Sequence, residues 1–193
     1  LYGGSGHQAP DVFGKYEENI EKFNRMITKV IGGTLAYQSA KRQFTYHKRM
    51  ADQGQMEFEL KNVASGIKSF GLLQLLLKSG FFHHRSLLII DEPEVHLHPT
   101  WQVEYARILV QLSKYFEANI LLNSHSPYFI EAVKVFSDKE GIQAQTNFYL
   151  ASKSKDGFTS TIENVTDSLE VIFEKLSEPF QWLEEETLGD QHD

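Results

Sequence analysis

Two stretches carry residues that could do chemistry. In LLIIDEPEVHLHP, residues 87–99, an aliphatic run drives straight into Asp91 and Glu92, followed by Glu94, His96 and His98; in NSHSP, residues 123–127, His125 stands between two serines. Adjacent carboxylates can hold a divalent cation and orient or deprotonate a water, which is the equipment for attack on a phosphate. A second reading is a histidine metal site, because His-x-His puts two ligands on one strand face. Pro93 and Pro99 bracket that segment, however, and no third ligand lies at a recognisable spacing. A third reading is a polar strand end with no chemistry. A serine nucleophile is poorly served, since Ser124, His125 and Ser126 are chain neighbours and no G-x-S-x-G elbow occurs.

The bulk properties narrow the field. At 193 residues, with 41% hydrophobic and 23% charged residues, the chain is long enough for a real core and has an ordinary globular balance. With no cysteine it has neither a disulfide framework nor a cysteine-based zinc site. No apolar run reaches bilayer length and no signal-like start is visible, so a cytoplasmic protein with no membrane contact is expected. A net charge of −7 gives no global basic field for nucleic acid. The locally basic KRQFTYHKR, residues 41–49, reads as the solvated face of a strand.

Around these residues the patterning predicts an α/β order. Residues 1–14 read as a loop or linker, rich in glycine. Ile20, Phe23, Ile27 and Val30 then predict a helix from Tyr16 to Val30, ended by Gly32 and Gly33. Three alternating stretches, 34–38, 43–47 and 55–60, predict an antiparallel meander. An apolar helix follows between Ser65 and Lys78, then a strand over 86–90, a helix over 101–116 and a second strand over 120–122. Both strands read as buried on both faces, and strand–helix–strand predicts a parallel pair. A hairpin over 147–150 and 158–164, turning at 155–157, precedes two helices, 168–176 and 179–186. Apolar residues Phe180, Trp182 and Leu183 of the last helix either pack on the domain's own sheet, the favoured reading, or face a partner. The body of the domain is expected over 15–187, with an acidic tail over 188–193.

Parallel sheets place sites beyond the carboxyl ends of their strands. The two central strands end in Asp91-Glu92 and Ser124-His125, so two carboxylates and a histidine should converge. An aliphatic strand delivering Asp then Glu is the Walker B pattern of phosphate-handling proteins, with Asp91 on Mg²⁺ and Glu92 beside the attacking water.

These segments together, with NVASGIKS at 62–69, closely resemble the ABC-type ATPase heads, a P-loop NTPase fold. The resemblance runs from about Val30 to Phe180. Within that group the chain is similar to the soluble RecF and SMC-like branch, and closest to anti-phage ATPases of the overcoming-lysogenization-defect and Septu types. The resemblance implies Asp91 as a Mg²⁺ ligand, Glu92 as the catalytic carboxylate and His125 as the switch histidine on the γ-phosphate of ATP. It also implies that Ser65 and Gly66, as signature residues, reach a nucleotide bound by a second subunit, with Lys68 adding a cation nearby. Ser65 is further expected to cap its helix. A homodimer of heads closing on ATP, an effector nuclease partner and DNA contact through the complete protein are implied in turn.

Two departures qualify the match. His98 stands where many members carry an interface aspartate, and ASGIKS has fewer glycines than the usual signature. A third is an absence: G-x-x-x-x-G-K-[ST] occurs nowhere in the sequence. The expectation is therefore a carboxyl-terminal part of a longer ATPase, inactive by itself, that drives DNA repair or phage defence. The alternative is a nucleotide-independent dimerisation or effector-binding module.

Overall fold

A computed structural model describes residues 12–50, 54–154 and 157–189. They fall into two compact units, one of the described residues up to 88 with 115–120 and the other of residues 89–114 with the described residues from 121 on. In the first, α1 (Val12–Ile31) leads into an antiparallel meander of β1 (Gly33–Gln38), β2 (Gln43–Met50) and β3 (Gly54–Glu59), followed by α2 (Ser65–Lys78). The meander's register, Leu35 opposite Tyr46 and Tyr46 opposite Phe58, puts apolar side chains on one face. That face meets helices whose inner positions are fully covered: Phe23, Ile27, Phe70, Leu73 and Leu77. Gly71 of α2 lies so close to β1 that a Cβ there would meet Leu35 at 2.9 Å. Rings of Phe23, Tyr16 and Phe82 close around Phe116 at 5.4–5.9 Å between centroids.

Buried Gln74 seals the joint between α2 and β1. Its Oε1 accepts from Leu35 N–H at 2.9 Å, and its Nε2 donates to Thr28 Oγ1 at 3.1 Å and to Gly33 O at 3.4 Å. Each polar atom of that amide is therefore satisfied in the core, which a buried glutamine requires.

β4 (Leu87–Asp91), α3 (Pro99–Phe116) and β5 (Asn119–Asn123) form the strand–helix–strand unit, with β4 and β5 paired. Asn119 N–H donates to Ser86 O at their start and Glu92 N–H to Asn123 O at their end, so they run in the same direction. Within the second unit follow α4 (Pro127–Glu140), the hairpin β6 (Tyr149–Lys153) and β7 (Ser160–Asn164), and α5 (Glu170–Gly189). Ile130, Val165, Leu169 and Ile172 make a local core, with Phe148, Leu150, Phe173 and Leu176 packed against it.

Several expectations are corrected. The first helix starts at Val12, inside the stretch read as linker, and residues 1–11 of that linker lie outside the described residues. So do residues 155–156 of the expected hairpin turn. Neither central strand is buried on both faces: Ile89 is 63% and Leu121 57% exposed, so an aliphatic run here reports one covered face only. Helix α4 is an addition to the expected order, framed by Ser126 as cap, Pro127 in the first turn and Gly141 at φ 73°. The two closing helices are one, because α5 passes through Pro179 without ending. It also reaches Gly189, beyond the expected end of the body, while residues 190–193 of the tail lie outside the described residues. Phe180, Trp182 and Leu183 do not pack on the domain, being 69%, 59% and 53% exposed; only the first half of α5 joins the core.

Candidate functional site

The carboxyl ends of β4 and β5 bring Asp91, Glu92, Glu94 and His125 together in the second unit. Asp91 closes β4, and its Oδ1 accepts from Asn123 Nδ2, the last residue of β5, at 2.6 Å. This bond fixes the carboxylate at the mouth of the strand pair.

One residue later the backbone turns sharply. Glu92 adopts φ 46°, a left-handed conformation that costs a non-glycine residue free energy and occurs preferentially where function needs it. Its N–H still reaches Asn123 O at 2.8 Å, so the turn is anchored to β5. The half-exposed side chain then comes within 3.6 Å of His125 Nδ1.

Pro93 breaks the strand, and Glu94 folds inward. It is 6% exposed, its Oε1 accepts from His125 N–H at 2.9 Å, and the same oxygen lies 3.8 Å from His125 Nδ1. Its Oε2 is buried without a protein partner. This is the site residue that sequence reasoning missed, because there Glu94 reads only as a metal ligand beside His96 and His98. Both histidines stay exposed while Glu94 is buried, so the three do not converge. His98 instead caps α3, its carbonyl accepting from Trp101 and Gln102 N–H at 2.7 and 3.0 Å.

His125 itself is exposed and leaves the end of β5 two residues before α4. Ser126 caps α4 by accepting from Phe129 N–H and donates to Gln102 Oε1 at 2.5 Å. Gln102 Nε2 in turn donates to Leu97 O at 3.0 Å, which stitches the two loops together.

Among the described residues no lysine or arginine pairs with Asp91, Glu92 or Glu94. Nor do the described residues contain three or more histidine or acidic residues grouped as a protein-only metal cage. One exposed aspartate among uncompensated carboxylates suits Mg²⁺, which takes one or two carboxylates plus water and phosphate rather than a full protein shell.

The residues expected to form a signature, Ser65, Gly66 and Lys68, lie in the first unit. Ser65 is the first residue of α2 rather than its cap: Ala64 takes that place, with an extended ψ of 142° and no side chain able to accept. The expected capping bond is therefore absent. Lys68 N–H bonds Ala64 O at 3.2 Å, so the N–H groups of Ser65, Gly66 and Ile67 precede the first closed helical turn. Ser65 is exposed, Lys68 half-buried and Gly66 buried.

A family profile described as "AAA domain, putative AbiEii toxin, Type IV TA system" matches residues 20–131, more than half of the chain. The chain belongs to this AAA domain family. Among solved structures the AAA domain is similar to the SMC head domain from Thermotoga maritima, with 18% identity over 79% of this chain and 51% of that one, at TM-score 0.47. It is also similar to a chain described under "Structural biochemistry of ATP-driven dimerization and DNA stimulated activation of SMC ATPases", at 12% identity, 86% and 97% coverage and TM-score 0.52. A third is the Smc head domain bound to the C-terminal domain of ScpA from Pyrococcus furiosus, at 14% identity, 85% and 39% coverage and TM-score 0.50. The latter two establish an SMC-head-like α/β fold for the AAA domain. It spans about half of the Thermotoga head. No curated protein matches the chain. No helix among its described residues is long and apolar enough to cross a membrane.

Proposed function

We propose that this AAA domain supplies the water-activating half of an ATP-hydrolysing head. The observation that carries the reading is the approach of Glu92 and His125 to 3.6 Å beside Asp91, at the ends of two parallel strands. Asp91 would hold Mg²⁺, which when bound neutralises phosphate charge. Glu92 accepts the proton of a water at its carboxylate, and its strained backbone aims that carboxylate off the strand end. His125 donates to the terminal phosphate of ATP. Ser65, Gly66 and Lys68, at the start of α2, offer main-chain N–H groups, a positive helix end and a cation to a nucleotide held by another head.

G-x-x-x-x-G-K-[ST] occurs nowhere in the sequence, and on this reading the phosphate-cradling loop is donated by a further segment of the natural protein or by a second polypeptide. Two heads closing on ATP would make a homodimer, and hydrolysis would reopen it. We place the machine in DNA repair or phage defence, in the cytoplasm, with DNA or an effector nuclease as its outlet. A second reading, a docking module independent of nucleotide, is favoured by the exposed Phe180, Trp182 and Leu183 of α5.

The deciding experiment is Mg²⁺-dependent ATP hydrolysis by the complete natural protein, wild type against Glu92→Gln, with size-exclusion chromatography in ATP. Loss of turnover by about 10²-fold or more, with an ATP-held dimer accumulating, supports the head reading. A wild type that neither binds nor hydrolyses ATP leaves the docking module.

A further inference from the structure

A buried carboxylate that spends one oxygen and leaves the other without a protein partner is an expensive way to tie two loops. Glu94 is such a group. Accepting from His125 N–H needs no charge, since a glutamine carbonyl accepts equally well. What the carboxylate adds is an anionic oxygen 3.8 Å from the Nδ1 edge of the same residue's ring, on the edge that Glu92 approaches to 3.6 Å. Two main-chain bonds brace the turn that carries it: Val95 N–H to Glu92 O at 3.0 Å and Leu97 N–H to Glu94 O at 2.9 Å.

We propose that Glu94 is a positioning residue, whose buried carboxylate grips the main chain of His125 and engages its Nδ1 edge, leaving Nε2 as the nitrogen that meets a ligand. The Nδ1 edge there faces two carboxyl groups, at 3.6 and 3.8 Å, before any phosphate arrives. The chemistry belongs to Glu92 and His125, and Glu94 acts only through the latter. This assignment rests on the ATPase reading for its kinetic consequence but not for its geometry.

The test uses the complete natural protein with Glu94→Gln, Glu94→Ala, His125→Ala and the Glu94→Ala/His125→Ala double variant. Glu94→Ala should lower kcat about 10- to 100-fold with KM moved less than about twofold, as misplacement of a reacting group by an ångström does. The double variant should be no slower than His125→Ala alone, because two residues acting as one unit are not additive. Glu94→Gln keeps the acceptor and should keep the melting temperature, yet shift the ring nitrogen resonances of His125 in ¹⁵N NMR.

A multiplicative loss in the double variant overturns the proposal, as does a Glu94→Ala protein that melts earlier but turns over normally. Should the wild type prove inactive towards ATP, the ATPase reading falls by itself. The NMR comparison then still decides: His125 ring resonances unchanged in Glu94→Gln overturn the positioning role, and shifted ones sustain it.

Discussion

Replacing Glu92 with glycine should leave the protein at least as stable and, on the proposed function, abolish ATP turnover by the complete natural protein. At φ 46° the glutamate occupies a left-handed conformation that costs an L-residue about 1–2 kcal/mol. Glycine escapes that cost but gives up about 0.5–1 kcal/mol of additional chain entropy on folding. The main-chain bond from residue 92 N–H to Asn123 O survives the change. The side chain lost is about half exposed, at 48%, and its 3.6 Å approach to an exposed His125 contributes at most about 0.5 kcal/mol. The balance favours the glycine variant by about 0.5–1 kcal/mol over Glu92→Ala, or roughly 2–3 °C in melting temperature for a domain of this size, and by up to about 0.5 kcal/mol over wild type. Glu92→Ala keeps the strain and loses the carboxylate, so it should melt at or slightly below wild type. Thermal unfolding without nucleotide, checked by urea titration, separates the three proteins, and ATP turnover is measured on the same samples. A glycine variant melting with or below the alanine variant would falsify the claim that this turn is strained. Retained turnover would remove Glu92 from the chemistry.

Two further outcomes follow from the packing. Gln74→Ala should cost about 3 kcal/mol, because it leaves the Leu35 N–H and the Thr28 hydroxyl without their amide partner and opens a cavity; urea unfolding reads it, and a loss under about 1 kcal/mol would show that the joint repacks. Burial pushes the Tyr105 phenol well above its ordinary value of 10. The unfolded chain therefore loses that proton first as pH rises, and stability should fall by about 1.4 kcal/mol per pH unit above about pH 10. Tyr105→Phe should flatten that alkaline limb in denaturant titrations from about pH 9 to 11.5, and an unchanged slope would contradict the burial.

Much of the fold was legible because local chemistry dictated it. The span of α2 is readable to the residue, since an apolar 3.6-residue pattern begins after a loop and stops before Ser79-Gly80. The meander follows from period-two alternation, and the hairpin from a glycine turn between two short extended stretches. Failures came where a local signal had a tertiary competitor. Pro179 reads as a helix boundary, but the first half of α5 is pinned by Leu169 and Ile172 in the local core, and the helix continues past it. Helix α4 carries visible caps but a mixed polar and apolar run between them, and its Ile130 is buried with Val165, Leu169 and Ile172 from later in the chain. Four aliphatic residues in a row read as a strand covered twice, yet hydrophobicity states a need for cover and not what meets it.

The sequence by itself determined which groups are candidates for chemistry: Asp91 and Glu92 after an aliphatic run and His125 after another, with G-x-x-x-x-G-K-[ST] occurring nowhere in it. It also determined the elements that carry them, because side-chain periodicity and capping are properties of neighbours along the chain. Only the tertiary structure decided that Glu92 would stand in the left-handed region and that Glu94 would turn inward to His125, 31 residues away. Such a contact depends on two loops being brought together by strand pairing and on Pro93 breaking the strand between two carboxylates. No local pattern distinguishes a glutamate facing water from one folded beneath a histidine, since the difference is set by what the rest of the chain puts beside it.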